Sequence, residues 1–337
     1  MVQLVRRSNT AMITAAALLV LLVLSACGAG AQQETAGTQT PDHTAEAPQA
    51  QPTVKTVKDD LGREVSVPSA PARIVAGEFA SELLALGLKP VGSGENGFKI
   101  VYTLKEMEGV ERIGDPPNLE KILELQPDLV IAPTVFLEIY QEQMEQIGKI
   151  APVYYISFDQ DPIYGIFTKL AALVGKQPEA EAWIKAYEEE ARLAREQVKA
   201  ALGDETVSIF RVEKGRLRIY LNRNFAGYML RSGLQANAPR PVADEINKNP
   251  FGSAVQISLE KLPEYAGDHL LLIVRDEGDD RQAFAEIEQL ELWKNLPAVK
   301  NGKVHRLGTD KYYGSDIVTI RETMKETAAM LGGGKTP

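Results

Sequence analysis

One phrase is written twice in this chain, and it constrains the architecture more than any other feature. Leu119-Glu120-Lys121-Ile122 leads to Asp128 and the apolar run Leu129-Val130-Ile131, and Leu259-Glu260-Lys261-Leu262 leads to Asp268 and Leu270-Leu271-Leu272-Ile273. The Glu precedes the Asp by eight positions in both copies, and the copies lie 140 residues apart. Such spacing marks two related lobes, each with a helical turn feeding an apolar strand. Leu119, Ile122 and Leu123 in one copy, and Leu259 and Leu262 in the other, fall at helical spacing. They are expected to anchor the turns and leave Glu120 and Glu260 pointing outward.

The rest of the pattern agrees with two α/β lobes. In the first, Asp60-Leu61-Gly62-Arg63-Glu64-Val65 reads as a hairpin. Strands are expected at 73–76, 89–91, 128–132 and 153–156, with helices at 81–86 and 136–147. Alternating strands and helices imply a mostly parallel sheet wrapped by helices. Pro178 then opens a run without Pro or Gly up to Leu202, with Ala180, Trp183, Ile184, Tyr187, Ala191 and Ala194 on one face over about six turns. A single long helix here makes a stiff connection. The second lobe begins with strand 207–212, turns at Lys214-Gly215 and returns as 217–221. Strands at 269–274 and 303–306 and a closing helix at 317–331 follow. The chain of 337 residues is long enough for two such cores.

The N-terminal segment is expected to be a leader. Arg6 and Arg7 precede an apolar stretch from 11 to 24, shorter than the roughly 20 residues of a membrane-spanning helix. It closes on Leu24-Ser25-Ala26-Cys27, which resembles a bacterial lipobox, where cleavage precedes a cysteine that carries diacylglycerol. The alternative, a lone buried thiol, does not suit a cysteine at the end of a leader. One cysteine allows no intrachain disulfide and no multi-cysteine metal site. From Gly28 to about Val57 the sequence is polar and should be a disordered tether reaching about 30 Å. The boundaries read as 1–26 leader, 27–57 lipid-anchored linker, 58–176 first lobe, 177–203 interlobe helix and 204–332 second lobe. A formal charge of −9, or −11 once the two leader arginines are removed, argues against general nucleic-acid binding.

Several segments carry a resemblance together: Asp60-Leu61-Gly62-Arg63 with Pro68 and Arg73-Ile74-Val75; Gly114-Asp115-Pro116-Pro117-Asn118-Leu119-Glu120 through Pro127-Asp128-Leu129-Val130-Ile131; Glu264-Tyr265-Ala266-Gly267-Asp268; and Trp293 through Val304. In this order, over about 57–331, they resemble the class III substrate-binding lipoproteins of ABC importers, particularly the iron-siderophore binders. The resemblance implies two Rossmann-like α/β lobes joined by one helix, with a ferric siderophore held between them. It also implies a glutamate on each lobe that docks on arginines of the permease subunits, at Glu120 and Glu260. Two spaced carboxylates can each form a charge-assisted bond with a guanidinium and so fix orientation. The other reading is a pair of ordinary solvated glutamates.

Ligands of open α/β sheets sit at the carboxyl ends of the strands. The return strand of the second-lobe hairpin alternates Leu217, Ile219 and Leu221 with Arg216, Arg218, Tyr220 and Asn222, flanked by Arg211 and Arg223. Arg211, Arg218, Tyr220 and Arg223 are therefore expected to face an anionic or aromatic chelate; the bland alternative is an exposed edge hairpin kept soluble by arginine. Arg223 stands out because related binders place a ligand arginine just before the helix expected at 225–231. Lys99 and Tyr102 (with Phe98), and Tyr312 and Tyr313, lie in loops that face the cleft in the family, although a loop tyrosine more often packs than recognises. A siderophore wraps its own iron, so no protein metal ligand is required, and three His offer no zinc or manganese cluster. Gly92-Ser93-Gly94-Glu95-Asn96-Gly97 matches a dinucleotide fingerprint in letters only and is expected to be a flexible loop. The sequence has no G-x-S-x-G elbow, and His269 and His305 have no evident catalytic partner.

These readings converge on a non-enzymatic receptor, expected to act as a monomer on the outer face of the cell membrane. Its partners would be a ferric siderophore and ABC permease subunits, and its one covalent group the lipid at Cys27. Haem or cobalamin in the same role, an exported enzyme and a surface adhesion module are the alternatives.

Overall fold

The computed structural model describes residues 53–333 except 214, 215, 224, 276, 277 and 313, with the side chains of Pro162 and Phe225 also left aside. The leader, Cys27, the tether up to residue 52, the Lys214-Gly215 turn and Tyr313 therefore lie outside the described residues.

The strands are β1 (Val54–Lys58), β2 (Glu64–Pro68), β3 (Ile74–Val75), β4 (Gly92–Ser93), β5 (Glu111–Arg112), β6 (Leu129–Pro133), β7 (Val153–Ile156), β8 (Val207–Glu213), β9 (Arg216–Tyr220), β10 (Ala254–Ile257), β11 (His269–Val274) and β12 (Val304–Leu307). The first lobe holds a five-stranded, fully parallel sheet in the order β5-β4-β3-β6-β7. The second holds the order β10-β9-β8-β11-β12, in which β8, β11 and β12 are parallel and the β8-β9 and β9-β10 pairs are antiparallel. β6 is buried along its whole length and β8 along all but its last residue, as expected of strands covered by helices on both faces.

β1 and β2 form a separate antiparallel hairpin closed by Asp59, whose carboxylate accepts from the backbone N–H of Leu61 and Arg63 and pairs with the Arg63 guanidinium at 2.7 Å. β1 falls inside the segment expected to be tether. Its alternation of Val54, Thr56 and Lys58 with Lys55 and Val57 finds a partner strand, so order begins before residue 58.

The repeated Asp has one structural role in both lobes. Asp128 accepts from the backbone N–H of Ala72 at 2.7 Å and of Arg73 at 2.9 Å, immediately before β3. Asp268 accepts from the Thr206 N–H at 2.8 Å and the Thr206 hydroxyl at 2.9 Å, immediately before β8. Each carboxylate, at the foot of one strand, ties down the start of the neighbouring strand. The bonds from Thr206 hold the Asp268 carboxyl below its usual range.

The connection between lobes is one helix, Gln177–Leu202, about 39 Å long at 1.5 Å per residue. Its buried face (Ala180, Tyr187, Ala191, Ala194, Val198, Leu202) packs against the C-terminal helix Ile317–Leu331 and helix Phe167–Val174. One apolar cluster runs from Leu83, Phe167 and Leu170 in the first lobe through Tyr187 and Ala191 to Ile209, Leu230 and Met324 in the second. The inner layers of the two lobes are thus one continuous core. Separate clusters fill the outer layers, around Ile122 and Met144 in the first lobe and around Leu262 and Trp293 in the second.

Three expected elements move. The second strand of the first sheet lies at Gly92–Ser93 rather than 89–91, where Gly92 pairs with Val75 and Glu111 and packs so closely that a Cβ would stand 2.9 Å from Ile113 Cγ2 and 2.7 Å from Leu125 Cδ1. The helix expected at 136–147 is broken at Tyr140, where φ is −130°, into Phe136–Ile139 and Gln141–Ile150. The glycine-rich stretch is not a loose loop. After β4 it winds into a 3₁₀ turn at Glu95–Lys99, with Gly97 packed so closely on Ser93 that a Cβ would sit 2.4 Å from its hydroxyl oxygen.

Candidate functional site: the interlobe cleft

In the first sheet, chain order reverses between β3 and β6, and loops leaving such a switch point diverge to leave a crevice. Gly77 makes the exit from β3 possible. It has φ +52°, and a Cβ there would lie 2.5 Å from the Ile131 carbonyl oxygen. A cleft of about 910 Å³ opens at this end, within the range that encloses a small ligand. From the first lobe it takes Glu78, Phe79 and Glu82 after β3, Asn96, Gly97, Lys99 and Ile100 after β4, Asp115 after β5, Val135, Phe136, Ile139 and Tyr140 after β6 and Phe158 after β7. From the second it takes Arg275 after β11, Thr309 and Asp310 after β12, and Gly314 to Asp316 before the C-terminal helix.

One wall is aromatic. Phe79 and Phe158 stand 5.6 Å apart between ring centroids, and Phe136 meets Tyr140 edge-on at 5.3 Å. These faces suit alkyl chains or a flat chelate. The floor is acidic. Glu82, 4% exposed, lies on the short helix Ala80–Ala85, and Asp316 caps the C-terminal helix by accepting the Thr319 N–H at 2.9 Å. Glu82 Oε1 accepts weakly from the Ile317 N–H at 3.4 Å, while Glu82 Oε2 and Asp316 Oδ2 are buried without a hydrogen-bond partner. Burial, then the neighbouring Asp316, pushes the Glu82 carboxyl up to about 8; burial raises Asp316 as well. The two titrate as a pair. Burial also raises Glu78, against the lowering effect of its bond to the Asn96 side chain.

The sequence-expected ligand residues divide into groups. Lys99 lines the cleft, on the rim, and donates to Asn96 Oδ1 at 3.1 Å. Arg223 is a tie between lobes: its guanidinium donates to the carbonyl oxygens of Phe158 and Gln160 beyond β7, while its Nε bonds the Tyr228 hydroxyl at 3.0 Å. It also covers the Phe251 ring at 4.9 Å. Arg211 and Tyr220 are each 1% exposed and bond to one another. The hairpin face expected to be open is buried only at its Arg211 and Tyr220 end, while Arg216 is exposed and Arg218 half-buried. Glu213 neutralises its arginines, pairing with Arg211 at 2.9 Å, Arg218 at 3.2 Å and Arg275 at 3.4 Å. Of that network Arg275 lines the cleft; Arg211, Arg218 and Tyr220 do not. Tyr102 and Tyr312 are packing residues. The Tyr102 hydroxyl donates to Glu326 at 3.0 Å, and Tyr312, 3% exposed, bonds Thr327 at 3.1 Å. Both side chains are spent on the C-terminal helix.

Glu120 and Glu260 are exposed, each in the first turn of its helical segment, and neither makes an ion pair among the described residues. Asn118 caps the first turn through the Lys121 N–H at 3.0 Å. The anchors of the two turns are Ile122 and Leu262, both fully buried; Leu123 (60% exposed) and Leu259 (39%) instead stand in solvent beside the glutamates, a correction to the expected inward packing.

Sequence reasoning missed Glu78, Glu82, Asp115 and Asp316. For Glu82 a signal existed, since it falls on the apolar face set by Phe79, Leu83 and Leu86, where a charge must have a purpose or a partner. For Asp316, Ser315-Asp316 ahead of a helical run is a capping signature. Among the described residues, no group of three or more His, Cys, Asp or Glu side chains is arranged to hold a metal ion, and no helix is long and apolar enough to cross a membrane.

Two α/β lobes on a shared helical spine, with a cleft lined by loops from both, define a two-lobed substrate-binding protein. Residues 110–310 match the family model described as periplasmic binding protein, and the chain belongs to that family. It is 30% identical over 310 residues to the iron(3+)-hydroxamate-binding protein FhuD of Bacillus subtilis (strain 168), covering 90% of this chain and 92% of that protein. Among solved structures it is similar to a periplasmic binding protein component of a Fep/Fec-like ferrichrome ABC transporter from Bacillus subtilis. That likeness has a TM-score of 0.70 and 27% identity, over 82% of this chain and 99% of the other. It is also similar to Staphylococcus aureus SirA complexed with staphyloferrin B, with a TM-score of 0.68 and 25% identity, over 82% of this chain and 97% of the other. These relatives are binding proteins and not enzymes.

Proposed function

We propose that this chain is a lipid-anchored extracytoplasmic receptor that binds a ferric siderophore in the interlobe cleft and delivers it to an ABC permease. The observation that carries the reading is the cleft itself. It lies at the carboxyl ends of the strands, is sized for a chelate and has an aromatic wall, in a chain whose relatives are named for ferric complexes. Cys27 is the anchor, and Glu120 and Glu260 are the docking carboxylates. Their support is their exposure, their freedom from ion pairs among the described residues and their matched placement on the two lobes.

Titration of the protein with one hydroxamate, one catecholate and one carboxylate ferric complex tests the ligand, with Trp183 and Trp293 as fluorescence reporters. Saturable quenching by at least one complex at micromolar concentration or below is expected. Failure of all three, with haem or cobalamin bound instead, would overturn the siderophore reading. The Glu120→Ala, Glu260→Ala double variant should bind ligand normally and lose uptake; unchanged uptake would remove the docking assignment. Cys27→Ala should release the protein from the membrane.

A further inference from the structure

The charges around the cleft do not suit the anionic chelate that the arginines of the sequence suggest. Five carboxyl groups line it, Glu78, Glu82, Asp115, Asp310 and Asp316, against two cations, Lys99 and Arg275. Arg275 is engaged with Glu213, and Lys99 stands exposed on the rim. The arginines expected to face the ligand are spent elsewhere: Arg211 and Arg218 on Glu213, and Arg223 on backbone carbonyls of the other lobe.

A cluster of acids alone would say little, since many such clusters are merely solvated. The decisive observation is at the floor. Glu82 is buried to more than nine-tenths and lines the cleft, and its Oε2 lacks any hydrogen-bond donor. Asp316 comes from the opposite lobe, and its Oδ2 makes no hydrogen bond of good geometry, although the Thr319 and Ser81 side chains face its carboxyl. Buried acceptors are ordinarily satisfied, and one left open at the bottom of a binding cleft is a place for a donor the ligand brings. By itself this raised pair shares a proton, and a ligand that brings several N–H bonds and a positive charge can displace that proton and meet both oxygens. An alkylammonium fits: three donors, a compact charge, and a methylene stem that can lie along Phe79, Phe158 and Ile166. Because Glu82 and Asp316 are already neighbours, one such group can meet both oxygens at once.

We propose that the cleft selects a ferric complex carrying a free ammonium group, which seats between Glu82 and Asp316 with Glu78 nearby, and discriminates against anionic complexes. This inference rests on the siderophore reading above and narrows it. Three hydroxamates balance Fe³⁺, so a linear trihydroxamate with one terminal amine is a monocation with an apolar body, which matches an aromatic wall and an acidic floor. A tris-catecholate complex is a trianion, and in this cleft it would meet five carboxyl groups against Lys99 and Arg275.

The test compares three probes on the full chain: the cationic linear ferric trihydroxamate ferrioxamine B, its N-acetylated neutral form, and an anionic ferric tris-catecholate. The cationic probe is expected to bind about tenfold or more tighter than the acetylated one, the scale of one charge-assisted hydrogen bond, and the catecholate weakest. In Glu82→Gln and in Asp316→Asn, which keeps a capping oxygen, the ratio of the first two affinities should collapse toward unity, because the cation loses more than the neutral probe. Equal binding of the cationic and acetylated forms, a ratio unchanged in both variants, or tightest binding of the catecholate would each overturn the charge selection while leaving a siderophore receptor. Binding of none of the three would overturn this inference and leave the siderophore reading to the carboxylate complex of the titration above.

Discussion

Replacing Glu82 by glutamine should make the protein more stable near neutral pH, against the usual expectation for a buried, hydrogen-bonded carboxyl. Burial, then Asp316, pushes the folded-state carboxyl up to about 8, from an ordinary value of 4.5 in the unfolded chain. Between those values the folded state holds a proton that the unfolded state has released. Stability therefore falls as pH rises through this window, by about 1.4 kcal/mol per pH unit, and the contribution is fully present only below about 4.5. At pH 7 the gap of 2.5 units corresponds to about 3 kcal/mol. Glutamine has the same shape and no proton to take up, so it escapes that cost. Urea denaturation of both proteins between about pH 5 and 8 should show a difference under about 1 kcal/mol at the acid end, growing to about 2–3 kcal/mol at neutral pH. A difference that does not grow with pH, or a variant less stable at every pH, would refute the argument. If the cost is confirmed, its persistence in the native chain is what a binding role predicts, since functional sites retain groups that stability alone would discard.

Other outcomes follow from the same contacts. Arg223→Ala removes the guanidinium bridge to the Phe158 and Gln160 carbonyls, so amide exchange over 157–166 should accelerate by about tenfold or more if that tie is worth a charge-assisted bond; unchanged exchange would show that the tie carries no load. Gly77→Ala forces a Cβ against the Ile131 carbonyl oxygen at positive φ and should cost about 2–3 kcal/mol in denaturation measurements, whereas Gly87→Ala, also at positive φ but in open space, should cost only about 1 kcal/mol. Asp268→Asn weakens the tie to Thr206. Because the Asp268 carboxyl is held below its usual value, the stability it contributes is present above the unfolded value of 3.8 and lost as pH falls through the folded one. The gap between native and variant stability should accordingly narrow in acid, and a gap constant with pH would contradict the assignment.

The repeated phrase proved legible in one way and misleading in another. Its strands, its order and the exposure of Glu120 and Glu260 follow from local pattern, because an apolar run bounded by polar residues has few ways to be buried. The Asp in each copy turned out to be a clamp on the neighbouring strand, visible only once β3 lies beside β6 and β8 beside β11. Leu123 and Leu259 show the converse: helical spacing nominates a face, and it takes the packing of Ile122 and Leu262 to decide which leucine is left outside. The hairpin arginines were legible as a group but not in their partners. Alternation along β9 separated two faces correctly, but a strand pattern does not say which partners the polar face finds, and Glu213 was not recognised as the counter-charge.

By itself the sequence determined two α/β lobes, the long helix that joins them and a cleft at their strand ends, since these depend on periodicity and order along the chain. What lines that cleft was decided by tertiary structure alone. Glu82 and Asp316 lie 234 positions apart and become neighbours only when the C-terminal helix packs across the first lobe. The chemistry of a site made between lobes depends on which charges find partners, and partners are assigned by the fold.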